Sequence, residues 1–65
     1  MKRRALERHL RAHGCRLLRE GGNHAVWSNP ISDERAPVAR HAEIPAGTVR
    51  SICRALGVPV PPNPR

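Results

Sequence analysis

The sequence predicts an α+β fold of order α-β-β-β-α, a three-stranded antiparallel sheet with both helices on one face. Apolar residues recur at helical spacing near both ends of the chain, and three short strand-like runs separated by turn-forming residues lie between them. With only 65 residues, the chain has too little apolar material to cover both faces of a sheet. We therefore expect one sheet face to remain open.

Both helices are predicted from the spacing of their apolar residues. The first spans residues 2–13, where Leu6 and Leu10 lie four apart. The final helix begins near Pro45, a residue suited to a first helical turn, and stops at Gly57. Its apolar positions at i, i+3, i+4 and i+7 are Val49, Ile52, Cys53 and Leu56.

The predicted strands are residues 15–19, 24–29 and 36–41. Short turns at 20–23 and 30–35 join them, so neighbouring strands run antiparallel. Pro37 cannot donate a backbone hydrogen bond, which predicts an edge position or a late start for the third strand. Strict alternation places Trp27 on the opposite face from His24, so Trp27 is predicted to lie in the core, whereas a bulge would turn it outwards to stack on an unpaired base.

The chain is expected to form one domain over residues 1–58, followed by a flexible proline-rich tail at 59–65. Cys15 and Cys53 form no disulfide framework and are expected to be small core residues in a reducing compartment. The charged N-terminal stretch lacks the apolar segment of a secretory signal, and no apolar run is long enough to span a membrane. We therefore expect a cytoplasmic protein.

The charge balance indicates a polyanionic partner. Twelve Lys and Arg residues stand against five Asp and Glu, a formal net charge of +7, and eleven of the twelve are arginine. The guanidinium group matches phosphate with paired donors and stacks on bases, which favours nucleic acid over an acidic protein. The alternative is a compositional bias towards arginine, with the charges simply solvated.

One turn delivers a histidine to the start of a strand. The Gly-Gly-Asn sequence at 21–23 is typical of a tight turn, because Gly and Asn adopt positive φ at little cost. His24 follows, and histidine both accepts and donates protons near neutral pH. A turn-mounted histidine on a basic scaffold is a minimal arrangement for cutting RNA, although an ordinary solvated histidine fits the same pattern.

The sequence predicts neither a cofactor nor a metal site. His9 and His13 lie four apart on a helix, a spacing that can hold zinc, and Cys15 follows them. Two ligands on a helix do not complete a site, and no Cys-x-x-Cys pair supplies the remainder. A solvated or partner-facing helix side is the better interpretation.

Three segments together resemble the HicA toxins, small bacterial ribonucleases of toxin–antitoxin systems. They are Gly-Gly-Asn-His at 21–24, Val-Ala-Arg-His at 38–41, and Gly-Thr-Val-Arg-Ser-Ile at 47–52 with its closing Leu-Gly at 56–57. Each motif is weak alone, but their order, spacing and total length agree. The chain departs from the family pattern at Ala39, where a proline is usual, and in the loop at 30–35.

The resemblance implies a fold like double-stranded RNA-binding domains, cleavage of mRNA, inhibition by a HicB-type antitoxin, and a catalytic role for His24. Beside His24, Arg40 is a candidate to hold the phosphate in the transition state and His41 a candidate second proton-transfer group, and for each the alternative is an exposed strand end. The expected RNA contacts are Gly21, Gly22, Asn23, Arg16, Arg19, Arg40 and His41. The arginines that either remain solvated or meet an acidic antitoxin are Arg4, Arg8, Arg11, Arg50 and Arg54.

Two other functions fit the same residues. The fold recognises RNA by shape through phosphate and 2′-OH contacts, so the chain is alternatively an RNA-binding module without chemistry. It is also compatible with an inactive toxin retained only for antitoxin binding.

Overall fold

A computed structural model describes residues 1–62 and has the predicted order of elements. The elements are α1 (Arg3–Ala12), β1 (Arg16–Glu20), β2 (His24–Asn29), β3 (Glu34–Ala39) and α2 (Ala46–Leu56). The three strands form one antiparallel sheet in the order β1-β2-β3, with β2 in the centre. The predicted α-β-β-β-α architecture is therefore confirmed, with β1 shifted by one residue from the predicted span.

The third strand differs from the prediction at both ends. It starts at Glu34 rather than residue 36 and ends at Ala39 rather than 41. Asp33 adopts the left-handed conformation with φ 59°, and its backbone N–H donates to the Asn29 carbonyl at 2.7 Å. This local conformation closes the turn early, so the chain re-enters the sheet sooner. Pro37 is tolerated because β3 is an edge strand, the first of the two predicted alternatives, whereas the late start is wrong.

Both helices pack on one face of the sheet. Trp27 is fully buried there, which confirms its predicted core position, and the Arg11 guanidinium carbon lies 5.0 Å from the centroid of its ring. The remaining core residues are Leu6, Leu10, Cys15, Ala25, Ala36, Val38, Ile44, Val49, Ile52, Cys53 and Leu56. This set includes side chains from both helices and from β2 and β3.

The two cysteines are buried core residues, in agreement with the sequence interpretation. Burial raises the pKa of the Cys15 thiol. Burial also raises the pKa of the Cys53 thiol, with a smaller contribution from repulsion by Cys15. The less reactive thiol form is thereby favoured at both positions, which argues against a nucleophilic role.

The segment after α2 begins by packing against the fold. The backbone N–H of Val58 donates to the Cys53 carbonyl at 2.9 Å, and Val60 is half-buried against the core. The His9 ring Nε2 lies 2.6 Å from the Pro59 carbonyl oxygen; since a carbonyl only accepts, His9 is the donor. Residues 63–65 of the predicted tail lie outside the described residues.

A β-bulge in β1 decides which residues share a face. Leu17 pairs with Trp27 and Arg19 with Val26, so Leu18 is the extra residue. In a regular strand, Arg16 and Arg19 would face opposite ways because they are three residues apart. The bulge shifts that alternation by one and brings both arginines to the open face, opposite the helices.

Helix α2 ends in a glycine whose conformation disfavours any other residue. Gly57 has φ 68°, and an added Cβ would lie 2.7 Å from Glu34 Oε1. We expect Gly57→Ala to lower the free energy of unfolding by about 1–2 kcal/mol, the cost of the left-handed conformation for a residue with a Cβ. Urea unfolding, monitored by circular dichroism, measures this change in the free energy of unfolding.

Gly47 in α2 provides the matched control. A Cβ built there meets nothing within 4 Å, and its φ is not positive. Gly47→Ala is expected to leave stability unchanged or raise it by up to about 1 kcal/mol. Equal stability of the two variants would contradict the strain argument for Gly57.

Candidate active site

The β1–β2 turn holds its shape by a close backbone contact. The N–H of Gly21 donates to the His24 carbonyl at 2.8 Å, and a Cβ on Gly21 would lie 3.0 Å from that same oxygen. The expectation that this turn uses positive φ is wrong, because among the described residues only Gly14, Asp33 and Gly57 have it. Gly21 is favoured by the close approach of two backbones rather than by handedness.

Arg40 ties the end of β3 to this turn. Its backbone N–H donates to the Asn23 carbonyl at 3.2 Å, and its side-chain Nη1 donates to the Gly21 carbonyl at 3.1 Å. A guanidinium has five N–H donors, so one contact with the protein leaves donors available for a ligand. Arg40 therefore both supports the turn and presents positive charge beside it.

These contacts bring together two segments that are far apart in sequence. A surface depression with a volume of about 460 Å³ is lined by Gly22, Asn23, His24, Arg40 and His41. All five residues are exposed, so a large substrate can reach them. No carboxylate of the described residues lines this depression, which favours an anionic ligand.

The other predicted contacts lie outside this depression. Gly21 is next to it and anchors Arg40, as described above. Arg16 and Arg19 project from β1 on the open face, paired with Ser28 and Val26. The predicted RNA contacts thus divide into a turn cluster around His24 and an arginine row on the sheet.

Sequence analysis missed Arg35, which it assigned to a turn. Arg35 belongs to β3 and pairs with Ser28, whose other partner is Arg16. Directly paired residues share a face, so these two arginines flank Ser28 on the open side. Buried Ala36 and Val38 alternate with exposed Pro37. Extending this alternation back by two residues from Pro37 would have placed Arg35 in the same strand and on the same face.

The helical histidine pair is engaged in structural contacts. The His9 and His13 ring centroids lie 4.6 Å apart, His9 bonds to the tail, and Cys15 is buried. Over residues 1–62, no group of three or more His, Cys, Asp and Glu side chains could hold a metal ion. Neither helix in that range is long and apolar enough to cross a membrane.

The fold and site define a small basic α-β-β-β-α domain with an open sheet and an exposed histidine–arginine cluster. A match over residues 3–58 to the family described as HicA toxin of bacterial toxin–antitoxin systems places this chain in that family. The chain is therefore a toxin of a toxin–antitoxin system, a class that acts with an antitoxin partner. No curated protein and no solved structure matches it significantly.

Proposed function

We propose that this toxin is a metal-independent endoribonuclease that cleaves mRNA in the cytoplasm, with His24 as its general acid or base. The grouping of His24, Arg40 and His41 in one exposed, carboxylate-free depression supports this proposal most strongly. Membership of the HicA family supports the same class of activity.

The reaction needs only groups that the depression and the RNA supply. A base removes the proton from a ribose 2′-OH, whose oxygen then attacks the neighbouring phosphorus. The bond from phosphorus to the 5′-oxygen breaks, and that oxygen takes up a proton from an acid. The products are a 2′,3′-cyclic phosphate, or its hydrolysis product, and a 5′-OH end. No metal is needed to create the nucleophile, because RNA carries it.

The two histidines and the arginine have complementary roles in this scheme. His24 accepts or donates one proton, and a positioned acid or base contributes about 10²–10⁴-fold. His41 lines the same depression and is the candidate for the second transfer. The free donors of Arg40 face the charge that develops on the phosphate oxygens, where fixed positive charge stabilises the transition state.

The substrate is expected to include the neighbouring sheet face. Gly21, Gly22 and Asn23 let the RNA backbone approach the turn closely, while Arg16 and Arg19 provide phosphate contacts. The remaining exposed arginines suit the acidic surface of a HicB-type antitoxin. These are Arg4, Arg8 and Arg11 on α1 and Arg50 and Arg54 on α2.

The experiment incubates purified protein with a long single-stranded RNA in EDTA, beside the same RNA carrying 2′-O-methyl groups throughout. We expect the unmodified RNA to be cut to fragments with cyclic phosphate ends and the methylated RNA to stay intact, because its 2′-oxygens cannot attack. Cleavage of both, or cleavage only with added divalent metal, would overturn the mechanism.

The open basic sheet also supports a second candidate, an RNA-binding module without chemistry, or a toxin retained only to bind antitoxin. This candidate predicts salt-sensitive RNA binding and intact RNA in both lanes. Expression without its antitoxin adds a second discriminator, since an active ribonuclease slows the growth of its host and a passive binder does not.

A further inference from the structure

We propose that the open sheet face carries a nucleotide-binding subsite for single-stranded RNA next to the His24 cluster. It is a second surface depression, about 270 Å³, lined by Leu18, Arg19, Val26 and Arg35. The claim that this subsite lies beside the cleaved phosphate rests on the proposed ribonuclease function. The claim that the subsite binds RNA does not depend on that function.

The subsite exists because of the bulge in β1. In a regular strand Leu18 would pair with Val26. Arg19 would then pair with Ala25 and point towards the helices. With the bulge, Arg19 stands opposite Val26 on the open face, and Leu18 lines the same depression. Arg35 reaches it from β3 on the other side, so the depression has one cation from each edge strand.

The lining has two chemical parts that match a nucleotide. The guanidinium groups of Arg19 and Arg35 bind phosphate oxygens with paired donors. Leu18 remains 47% exposed and Val26 is half-buried, so the floor offers an aliphatic contact for a ribose or base. Water is displaced from apolar surface on the floor while the charges are neutralised at the rim.

The same lining predicts weak sequence preference. Nonspecific single-strand binding usually adds aromatic platforms on which bases stack, but Trp27 is the only aromatic residue and lies fully in the core. Among residues 1–62, no Asn or Gln side chain lines this depression to read a base edge. Binding here therefore depends mainly on the phosphate backbone.

The subsite lies in line with the proposed catalytic residue. Val26 and His24 are two residues apart on β2 and face the same side of the sheet. Two residues of a strand span roughly 7 Å, comparable with one step of an extended RNA strand. A chain bound along β2 would therefore place one phosphate at the arginines and the next at His24.

The positive charge of the open sheet face favours RNA, rather than a second copy of this chain, as the ligand. A face-to-face dimer would bring arginines from both copies together over this surface, and like charges brought face to face are destabilising. The face carries Arg16, Arg19 and Arg35. A polyanion such as RNA neutralises these arginines, so its binding relieves their mutual repulsion.

The test measures the salt dependence of RNA binding in protein that cannot cleave. In a His24→Ala background, the affinity for a short single-stranded oligonucleotide is measured by fluorescence anisotropy across a series of salt concentrations. The variants are Arg35→Ala and the control Arg50→Ala, which removes the same charge from an exposed position on α2. Circular dichroism establishes that both remain folded.

We expect Arg35→Ala to weaken binding and to reduce the slope of log K against log salt by about 0.7, the value for one single-strand phosphate contact. Arg50→Ala should leave the slope unchanged. A third variant, Leu18→Gln, should weaken binding without changing the slope, because it alters the apolar floor and no charge.

Equal slopes for Arg35→Ala and Arg50→Ala, whether both reduced or both unchanged, would overturn the subsite, since RNA would then respond to net charge or bind elsewhere. Because cleavage is absent from this assay, intact RNA in the nuclease experiment would refute the proposed function without refuting the subsite.

Discussion

His24→Ala is expected to abolish RNA cleavage, with a rate loss of at least about 10²-fold, because the variant lacks the proton-transfer group. His24 is exposed at the first position of β2, so the substitution removes no core contact. Stability should stay within about 0.5 kcal/mol of the parent, and RNA affinity should be nearly unchanged. Cleavage rates in EDTA, a thermal melt and anisotropy binding test these three expectations.

His13→Ala is the matched control, since it removes an exposed histidine from α1, outside the depression that contains His24. We expect it to cleave at the parental rate. His41→Ala distinguishes one-histidine from two-histidine mechanisms, because only the latter predicts a loss of similar order. Undiminished cleavage by His24→Ala would transfer catalysis to another residue or reveal a contaminating nuclease.

Trp27→Ala is expected to have the largest effect on stability, about 3–5 kcal/mol. The indole is fully buried, and the change also removes its contact with Arg11. Single domains are stable by about 5–15 kcal/mol, and one of 65 residues buries a small core, so a substantial unfolded fraction is expected. Far-UV circular dichroism in urea is the suitable measurement, because the variant has no tryptophan to fluoresce.

Two further variants test whether the loss of stability in Trp27→Ala comes from the burial of the ring. Ile31 is 88% exposed, so Ile31→Ala should change stability by less than about 0.5 kcal/mol. Trp27→Phe keeps most of the ring and removes an indole Nε1 that has no hydrogen-bond partner among residues 1–62, so its cost should be well below that of alanine. A folded Trp27→Phe with sharply weaker RNA binding would contradict the core assignment and favour base stacking.

Local sequence patterns were sufficient for the architecture. The spacing of Leu6 with Leu10, and of Val49 with Ile52 and Leu56, depends only on helical periodicity, and these side chains are buried as expected. The core position of Trp27 followed from strand alternation, because β2 is a regular strand without a bulge between His24 and Trp27. The ends of β3 were less predictable, since a left-handed Asp33 closes the preceding turn early.

The candidate site was only partly predictable, because it depends on contacts between residues that are far apart in the sequence. Composition and the turn before β2 identified His24 and its neighbours as functional candidates, while residues 40 and 41 reach them only through the antiparallel pairing of β2 with β3. The hydrogen bonds from Arg40 to the turn join residues as far as 19 positions apart, which no local pattern encodes. Arg35 was assigned to a loop because turn-forming residues precede it.

The sequence by itself determined the order of elements, the helical core residues and Trp27, the positive charge and the histidine that follows the glycine turn, because each depends on composition or on a short repeating period. Only the tertiary structure decided which charges act together. A single extra residue in β1 reverses the facing of every residue after it, and this bulge is visible only in the pairing of β1 with β2. Arg16, Arg19 and Arg35 share a face through pairing across the sheet, a property of three strands at once.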